Sequence, residues 1–441
     1  MKNLTMSILI VLLSSFVVAD GLPSYLKVRE KQRNDDFDAS VLYAGEEISI
    51  VVDKSVRSLD AKEMNRDDLF AIRFLNTDKI LPRLDEFGTV LFIDEKKNEA
   101  IMSLTDEQKI DQLASLLHTE GGCIGCGSIL KLSKPSETMN QRRVQPSALA
   151  SELVEKLMTA EPQSDVQEIV DMVNIDNISA YISQLSAYHN RHHRSSTGRQ
   201  SADYIYNTLK SYERNGLTVS QFQHSGTPQP SVIARLEGTT NPDEIVIIGC
   251  HIDSLAGWSS ANKAPGADDN ASGTATVKEL LRIISTYNYK FKRTIEFHGY
   301  AAEEGGLVGS GEVASRYSSQ GKNVVGMVQI DMCLYSSASK PEIWLITNDT
   351  NAQHVNLAAR LIEQYTTATW KKGPIKGGTS DHRSWHRKGY PAIFPFENPN
   401  SYNRHIHTAN DTIAKSGNFP FAHNMAKLGM AYILSMAELV K

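Results

Sequence analysis

Residues 244–253 read Glu244-Ile245-Val246-Ile247-Ile248-Gly249-Cys250-His251-Ile252-Asp253, an apolar run that ends in polar side chains. A short apolar run of this kind is typical of a strand buried on both faces of a sheet. The same pattern recurs at 293–304 and at 324–331, with helical periodicity between the runs, and the last of these strands is expected to extend to Met332. Strands that alternate with helices predict an α/β fold with a largely parallel sheet between two layers of helices.

Outside this stretch, the sequence predicts further elements of the same fold. We expect helices at 166–185, 199–211, 272–285, 309–319, 353–365 and 421–440, and strands at 342–347 and 392–396. In such folds, ligands bind beyond the carboxyl ends of the strands. The residues that follow each strand are therefore the first place to look for a site.

Histidines and carboxylates follow the predicted strands and the loops between them. The candidates are His251, Asp253, the pair Asp268 and Asp269, Glu303, Glu304, Asp331 and His407. Singly, each is as well explained by a surface group or, for the aspartates, by a helix cap. Surface groups and helix caps do not explain the whole set, because carboxylates buried side by side repel one another unless a cation lies between them.

Nitrogen and oxygen ligands of this kind suit zinc. Two Zn²⁺ could share one aspartate, and three carboxylates with a bridging hydroxide would balance the charge of the two ions. Such a pair of ions lowers the pKa of the shared water. Glu303 would then be free to act as general base and acid. Asp253, two residues beyond His251, could orient that imidazole.

The composition and the absence of other motifs exclude several classes of function. A formal net charge of −5 offers no broad attraction for nucleic acid or an acidic membrane surface. There is no G-x-S-x-G elbow of a serine hydrolase and no phosphate-binding G-x-x-x-x-G-K loop. We therefore expect neither nucleic acid nor a membrane as partner.

The N-terminal third carries the pattern of an exported precursor. Residues 1–19 combine Lys2, an apolar run and small residues at 17 and 19, which predicts a signal peptide rather than a membrane anchor. Residues 20–150 then contain a small α+β pattern, with strands at 68–75, 89–93 and 100–104, and a polar linker that includes Arg142-Arg143. We interpret them as a pro-segment removed after secretion, with a permanent accessory domain as the alternative. Residues 151–441 would form the catalytic domain.

Four cysteines are few for an exported chain. Cys123 and Cys126 form a lone C-x-x-C without a second ligand pair, which favours a local disulfide over a zinc knuckle or a redox motif. Cys250 and Cys333 lie in apolar runs and are predicted to be packed thiols.

From about residue 160 to the end, the chain resembles the secreted bacterial leucyl aminopeptidases, which have a co-catalytic dizinc centre. The resemblance is carried, in order, by His251-Ile252-Asp253-Ser254, 265–273, 300–307, Gln329-Ile330-Asp331-Met332, Ser380-Asp381-His382 and Ile406-His407-Thr408. It implies a mixed eight-stranded sheet, two Zn²⁺ and a peptide substrate with a free N-terminus. It also implies that Asp268 bridges the ions, with His251 and Asp331 completing one site and Glu304 and His407 the other, and that a cis peptide joins Asp268 to Asp269.

The same resemblance bears on specificity. Met332, Phe394, Phe396 and Tyr402 match apolar pocket positions, which predicts a bulky apolar first residue, although plain core packing explains each of them equally well. The loop 373–379 lacks the disulfide and the tyrosine of close relatives, which predicts a more open pocket rim.

The alternatives are a related zinc carboxypeptidase, a single-zinc glutaminyl cyclase, or an inactive binding ectodomain on the same fold. The expected protein is a secreted monomer, with export through a periplasm as one route.

Overall fold

The structure is a computed structural model that describes residues 148–440 except Trp258 and Gly377. It also describes residues 26–30, 41–44, 48–52, 69–74, 76–94 and 99–106, with short pieces between 109 and 131. The predicted signal peptide, the linker with Arg142-Arg143, and Cys123 and Cys126 lie outside the described residues. Within the described part, no helix has the length and apolar character needed to cross a membrane.

The described N-terminal stretches form two small antiparallel sheets. The first has the order β1–β3–β2, with β1 Leu26–Glu30, β2 Val41–Ala44 and β3 Ile48–Val52. The second has the order β5–β6–β4–β7, with β4 Leu69–Arg73, β5 Thr89–Asp94, β6 Glu99–Ser103 and β7 Ile129–Lys131. Helix α1, Thr77–Ile80, continues into a 3₁₀ turn at Leu81–Glu86. The strands predicted near 68–75, 89–93 and 100–104 are therefore confirmed.

A six-stranded sheet forms the centre of the C-terminal part. Its order is β15–β12–β10–β11–β9–β8, with β8 Leu217–Phe222, β9 Ser231–Leu236, β10 Asn241–His251, β11 Arg293–Tyr300, β12 Asn323–Gln329 and β15 Ala392–Ile393. Strands β10, β11, β12 and β15 are parallel, whereas β9 and β8 add antiparallel pairs at one edge. The sheet is thus mixed and largely parallel, as predicted.

Helices cover both faces of this sheet. They are α2 Ala148–Thr159, α3 Ser164–Val170, α4 Ile175–Ser186, α5 Ser196–Lys210, α6 Gly273–Thr286, α7 Val308–Ser319, α8 Ala352–Tyr365, α9 His382–Arg387, α10 Ile413–Ser416 and α11 Phe419–Ala437. Strand β10 explains the arrangement, because its side chains alternate between two apolar clusters. Val246 and Ile248 pack with helices α6 and α11, whereas Ile245 and Ile247 pack beside Trp385 on the other face.

Three features differ from the sequence prediction. The helix expected at 166–185 is broken at residues 171–174, where Asn174 caps α4 and donates its backbone N–H to Glu279 Oε1 at 3.1 Å. The strand expected to run to Met332 ends at Gln329. The sheet is not a single eight-stranded one, because a second sheet, β14–β13–β16, follows (β13 Glu342–Ile346, β14 Thr369–Gly373, β16 Pro395–Phe396).

The two sheets of the C-terminal part are joined at Phe394. Before this residue, β15 pairs with β12, and after it β16 pairs with β13. The carbonyl of Phe394 accepts a hydrogen bond from Ile346 N at 3.0 Å. The segment therefore changes partners without leaving the core, and it places Phe394 and Phe396 next to the carboxyl ends of the parallel strands.

Candidate metal centre

Two groups of ligand-type side chains meet at the carboxyl ends of β10, β11 and β12. His251, Asp269 and Asp331 form one group, and Asp269, Glu304 and His407 form the other. Within each group, one ligand atom from each residue lies within 4.8 Å of the others. All five side chains are buried. Asp269 belongs to both groups and therefore occupies the shared position.

The imidazoles face the two oxygens of Asp269 from opposite sides. His251 Nε2 lies 3.0 Å from Asp269 Oδ1 and 3.2 Å from Asp331 Oδ1. His407 Nε2 lies 3.0 Å from Asp269 Oδ2 and 3.0 Å from Glu304 Oε2. Each imidazole nitrogen thus points at two carboxylates, although it can donate only one proton.

The prediction that Asp268 shares this position is wrong, and its neighbour Asp269 lies there instead. The Asp268 side chain is turned into the protein, where Oδ1 accepts from Leu334 N at 2.8 Å and Oδ2 accepts from Asn403 Nδ2 at 2.9 Å. The cis peptide bond is likewise one residue further on, between Asp269 and Asn270 rather than between Asp268 and Asp269. Two adjacent aspartates give the same sequence pattern, and the local backbone decides which of them faces the site.

That backbone is an irregular π-type turn, Ala267–Ser272, which precedes α6. It begins after Gly266, which has φ +52°, and a Cβ there would lie 2.4 Å from the carbonyl oxygen of Asp269. The turn is held from below by Arg191, a fully buried side chain that donates to the carbonyls of Pro265 at 2.6 Å and Gly266 at 2.9 Å. Position 266 requires glycine, because any Cβ there would collide with the carbonyl oxygen of Asp269 and the positive φ is strained for other residues.

Two further carboxylates hold the ligand-bearing loops by their backbone amides. Asp253 accepts from the N–H groups of Glu303 and Glu304, each at 3.1 Å. Asp411 accepts from those of Asp268 at 3.1 Å and Asp269 at 3.0 Å. We call Asp253 and Asp411 the amide clamps. The predicted contact of Asp253 with the imidazole of His251 is longer, with 3.5 Å between Oδ1 and Nδ1.

The sequence analysis did not single out Asp411 as a functional residue. It lies four positions after His407, so a carboxylate close to a predicted histidine ligand was the available indication. Ser380 is a second such residue, since its hydroxyl donates to Asp331 Oδ2 at 2.6 Å. Ser380 belongs to a motif that carried the family resemblance, but no role followed from it.

The charges of the cluster shift the titration of its members. Burial alone would lower the pKa of both imidazoles, but the carboxylates outweigh it: Asp331 and its neighbours raise the pKa of His251 well above its ordinary value, and Glu304 with Asp269 raises that of His407 to about 10. Burial, with the negative charge of Glu304, also raises the pKa of Glu303 well above that of an ordinary glutamate. The cluster therefore attracts and holds positive charge.

This donor set fits divalent zinc. Two imidazole nitrogens and three carboxylates are ligands that zinc accepts. Glu304 Oε1 is buried and has no hydrogen-bond partner among the described residues, although a buried carboxylate oxygen normally has one. A bound cation would satisfy this oxygen and offset the repulsion between the carboxylates.

A pocket opens beside the cluster, and the pocket together with its open mouth holds about 260 Å³ of empty space. It is lined by Asp269, Glu303, Asp331, Met332, Ile375, Thr379, Phe394 and Phe396. Three of the four predicted pocket residues thus line it. The fourth, Tyr402, packs in the same apolar cluster as Met332 and Phe394 without lining the pocket itself. An acidic, metal-type cluster with an apolar pocket at the ends of parallel strands is characteristic of metal-dependent hydrolases.

Comparisons with known proteins identify the family. Residues 231–432 match peptidase family M28. Leucine aminopeptidase 1 from Trichoderma harzianum is 34% identical over 290 residues, which cover 62% of this chain and 72% of that protein. The probable aminopeptidase YDR415C from Saccharomyces cerevisiae is 34% identical over 267 residues, which cover 57% of this chain and 71% of that protein.

Solved structures share the fold. The LapA aminopeptidase of Legionella pneumophila matches with a TM-score of 0.69 at 24% identity, and the match covers 85% of this chain and 99% of that one. The chain belongs to peptidase family M28 and is an enzyme of that family. The predicted resemblance to leucyl aminopeptidases and the predicted α/β fold class are thereby confirmed. The buried thiols of Cys250 and Cys333 are also as predicted.

Proposed function

We propose that this chain is a zinc aminopeptidase that binds two Zn²⁺ and releases bulky apolar residues from peptides with a free N-terminus. The observation that carries the proposal is the position of Asp269 in both ligand groups, at the wall of an apolar pocket. Its relatives in the family are named as aminopeptidases, which supports the same reaction here.

His251, Asp269 and Asp331 would hold one ion, and Asp269, Glu304 and His407 the other. When bound, the ions would lower the pKa of water and polarise the carbonyl of the scissile peptide. The amide clamps Asp253 and Asp411 keep the ligand loops in place from behind. Their position fits the general rule that groups behind the ligands set the orientation of the ligands.

Glu303 is the proton carrier in this proposal. Asp253 holds its backbone N–H, whereas its side chain lines the pocket. A carboxylate with a raised pKa can take a proton from water and return it to the leaving amine near neutral pH. A carboxylate of ordinary pKa would be a weaker base and would take the proton from water less readily.

The pocket favours a single apolar side chain. Met332, Ile375, Phe394 and Phe396 provide its apolar walls, and all four are buried. These walls lie beside the metal-type cluster, where they would contact the side chain next to the scissile bond, which suits removal of a terminal apolar residue.

We also propose secretion, with removal of residues 1–19 and then of residues 20–150. The signal-like sequence at the N-terminus supports export. Strand β7 packs against α7, and Ile129 lies against Gly306, close to Glu303 and Glu304. A pro-segment in this position would contact the turn that carries the acidic pair. Gel filtration of the matured protein tests the proposed monomer.

The test compares leucyl-anilide with N-acetyl-leucyl-anilide, before and after chelation and after zinc is returned. We expect cleavage of the unblocked substrate alone, loss of activity with the chelator, and recovery at two Zn²⁺ per chain. Glu303→Gln should keep the zinc and lose most of the rate. Equal cleavage of the blocked substrate would refute an aminopeptidase, and one zinc per active chain would refute a dizinc site. A panel in which arginyl or lysyl substrates are preferred would overturn the apolar assignment.

A further inference from the structure

One hydroxyl in the pocket has no partner. Thr379 lines the pocket together with Asp269, Glu303 and Asp331, and its side chain is buried, with the residue 6% exposed. Its Oγ1 is fully buried, yet it forms no hydrogen bond with any described residue. Leaving a buried hydroxyl without a partner costs about 1–3 kcal/mol. Such a group in a pocket is an indication that a ligand supplies the partner.

The backbone around Thr379 is anchored beside the metal cluster. The next residue, Ser380, donates its hydroxyl to Asp331 at 2.6 Å. On the other side, the N–H of Ile375 donates to Asn348 Oδ1 at 2.9 Å. The hydrogen bond from Ser380 to Asp331, one of the proposed metal ligands, therefore fixes the position of the neighbouring Thr379 relative to that carboxylate.

The other polar side chains in the described pocket wall are the carboxylates of Asp269, Glu303 and Asp331. Hydrolysis of a peptide bond places negative charge on the carbonyl oxygen as the carbon becomes tetrahedral. A hydrogen-bond donor would stabilise this oxygen in addition to the ions, and the ionised carboxylates of the wall cannot serve because they only accept. The hydroxyl of Thr379 can donate without changing its charge.

We propose that Thr379 is a catalytic residue that donates a hydrogen bond to the substrate carbonyl oxygen, most strongly in the tetrahedral state. This rests on the proposed aminopeptidase function and adds a specific donor to it. Thr379 keeps its proton throughout. The bond from the water oxygen to the carbonyl carbon forms, the carbon–nitrogen bond breaks, and Glu303 carries the proton from water to the amine.

Two variants separate the hydroxyl from the shape of the side chain. Thr379→Val keeps the branched shape and removes the donor, whereas Thr379→Ser keeps the donor and removes a methyl group. Loss of one such donor lowers kcat by about 100-fold or more. We expect this fall in kcat for the valine variant with little change in KM, and recovery of most of the rate in the serine variant. A rise in KM alone would instead assign Thr379 to ground-state binding.

Binding measurements provide a readout independent of turnover. An α-aminoboronic acid analogue of leucine can form a tetrahedral adduct with an oxygen in this position, whereas 3-methylbutylamine fills the same pocket without any carbonyl oxygen. By calorimetry on the zinc-loaded protein, Thr379→Val should bind the boronic acid at least 10-fold more weakly and bind the amine unchanged. The zinc content of each variant is measured alongside.

The outcomes are distinct. If the parent chain cleaves leucyl-anilide and the valine variant matches it in kcat and in boronic acid affinity, the role of Thr379 is refuted. If both ligands bind the valine variant equally more weakly, Thr379 only shapes the pocket, which also refutes the proposal. If the zinc-loaded parent chain cleaves no aminoacyl substrate, the proposed function itself fails.

Discussion

Replacing each of the two neighbouring aspartates separately tests the assignment of the shared ligand. Asp269→Asn removes one negative charge between the two ligand groups and leaves the side-chain shape almost unchanged. Asp268→Asn makes the same chemical change one residue earlier, where the side chain faces Leu334 N and Asn403 Nδ2 instead. The pair is therefore a matched comparison within one turn.

The expected effects differ greatly in size. Unit charges 4 Å apart interact by about 4 kcal/mol at an effective dielectric constant of 20, and a divalent cation doubles this to about 8 kcal/mol. Since about 1.4 kcal/mol corresponds to a tenfold change in affinity, even half of that energy lowers zinc affinity for the Asp269 variant by more than about 100-fold. Burial and the charge of Asp411 raise the pKa of Asp268 well above its ordinary value, and its two oxygens accept from Leu334 N and Asn403 Nδ2, away from the ligand groups. Its replacement should cost stability, about 1–3 kcal/mol if one hydrogen bond is lost, but not zinc.

The assay is zinc content by mass spectrometry and zinc affinity by competition with a chromogenic chelator, with thermal unfolding of each variant as the control for folding. We expect Asp269→Asn to show a cooperative thermal unfolding transition, which demonstrates that it is folded. It should contain less zinc than the parent chain and have no measurable activity. The assignment would be refuted by an Asp268 variant that loses zinc while the Asp269 variant retains both ions.

Three further predictions follow from other contacts. Asp411→Asn turns an NH₂ group toward one of the two backbone N–H groups that now donate to the carboxylate. We expect zinc affinity to fall by about 10–100-fold. Unchanged zinc affinity in chelator competition would contradict the proposed role of Asp411. Asp253→Asn should lower kcat at saturating zinc, because one of the backbone N–H groups of Glu303 and Glu304 loses its acceptor; an effect on zinc content alone would contradict this. His354 Nδ1 and the Tyr432 hydroxyl share a hydrogen bond of 2.7 Å, and burial lowers the pKa of His354 from 6.5 to about 4. The unfolded chain therefore binds this proton first, and stability present above pH 6.5 is lost toward pH 4, by up to about 3 kcal/mol. Urea unfolding measured between pH 6.5 and pH 4 should show that the free energy of unfolding of His354→Gln falls less steeply with decreasing pH than that of the parent chain. An unchanged dependence on pH would refute the assignment.

Much of the fold follows from local patterns. Strand β10 is visible in the sequence because both of its faces are buried, so that an unbroken apolar run results. Strands β8 and β9 were not predicted; β8 lies at the sheet edge and buries only alternate residues in its first half, and its polar positions hide it. The break before α4 depends on Glu279, a distant residue that accepts from Asn174, and helical periodicity carries no trace of such a contact.

The site was predictable to the level of residue type and strand end. His251, Glu304, Asp331 and His407 lie together, as the sequence analysis expected. The choice between Asp268 and Asp269 was not predictable from spacing, because the backbone of the turn and the distant residues Asn403 and Asp411 decide it. Thr379 was equally hidden, since one threonine in a loop carries no distinctive pattern.

The clamp formed by Asp411 also bears on when the enzyme becomes competent during folding. Asp411 follows Asp268 by 143 residues, and the two meet only when the C-terminal segment has joined the sheet. Contacts of such long sequence separation form late, because the loop they close must first lose its freedom. A chain that has folded only through β12 therefore contains Asp269, Glu303 and Glu304 but lacks the contacts of His407 and Asp411. Peptide cleavage should therefore begin only with the completed molecule.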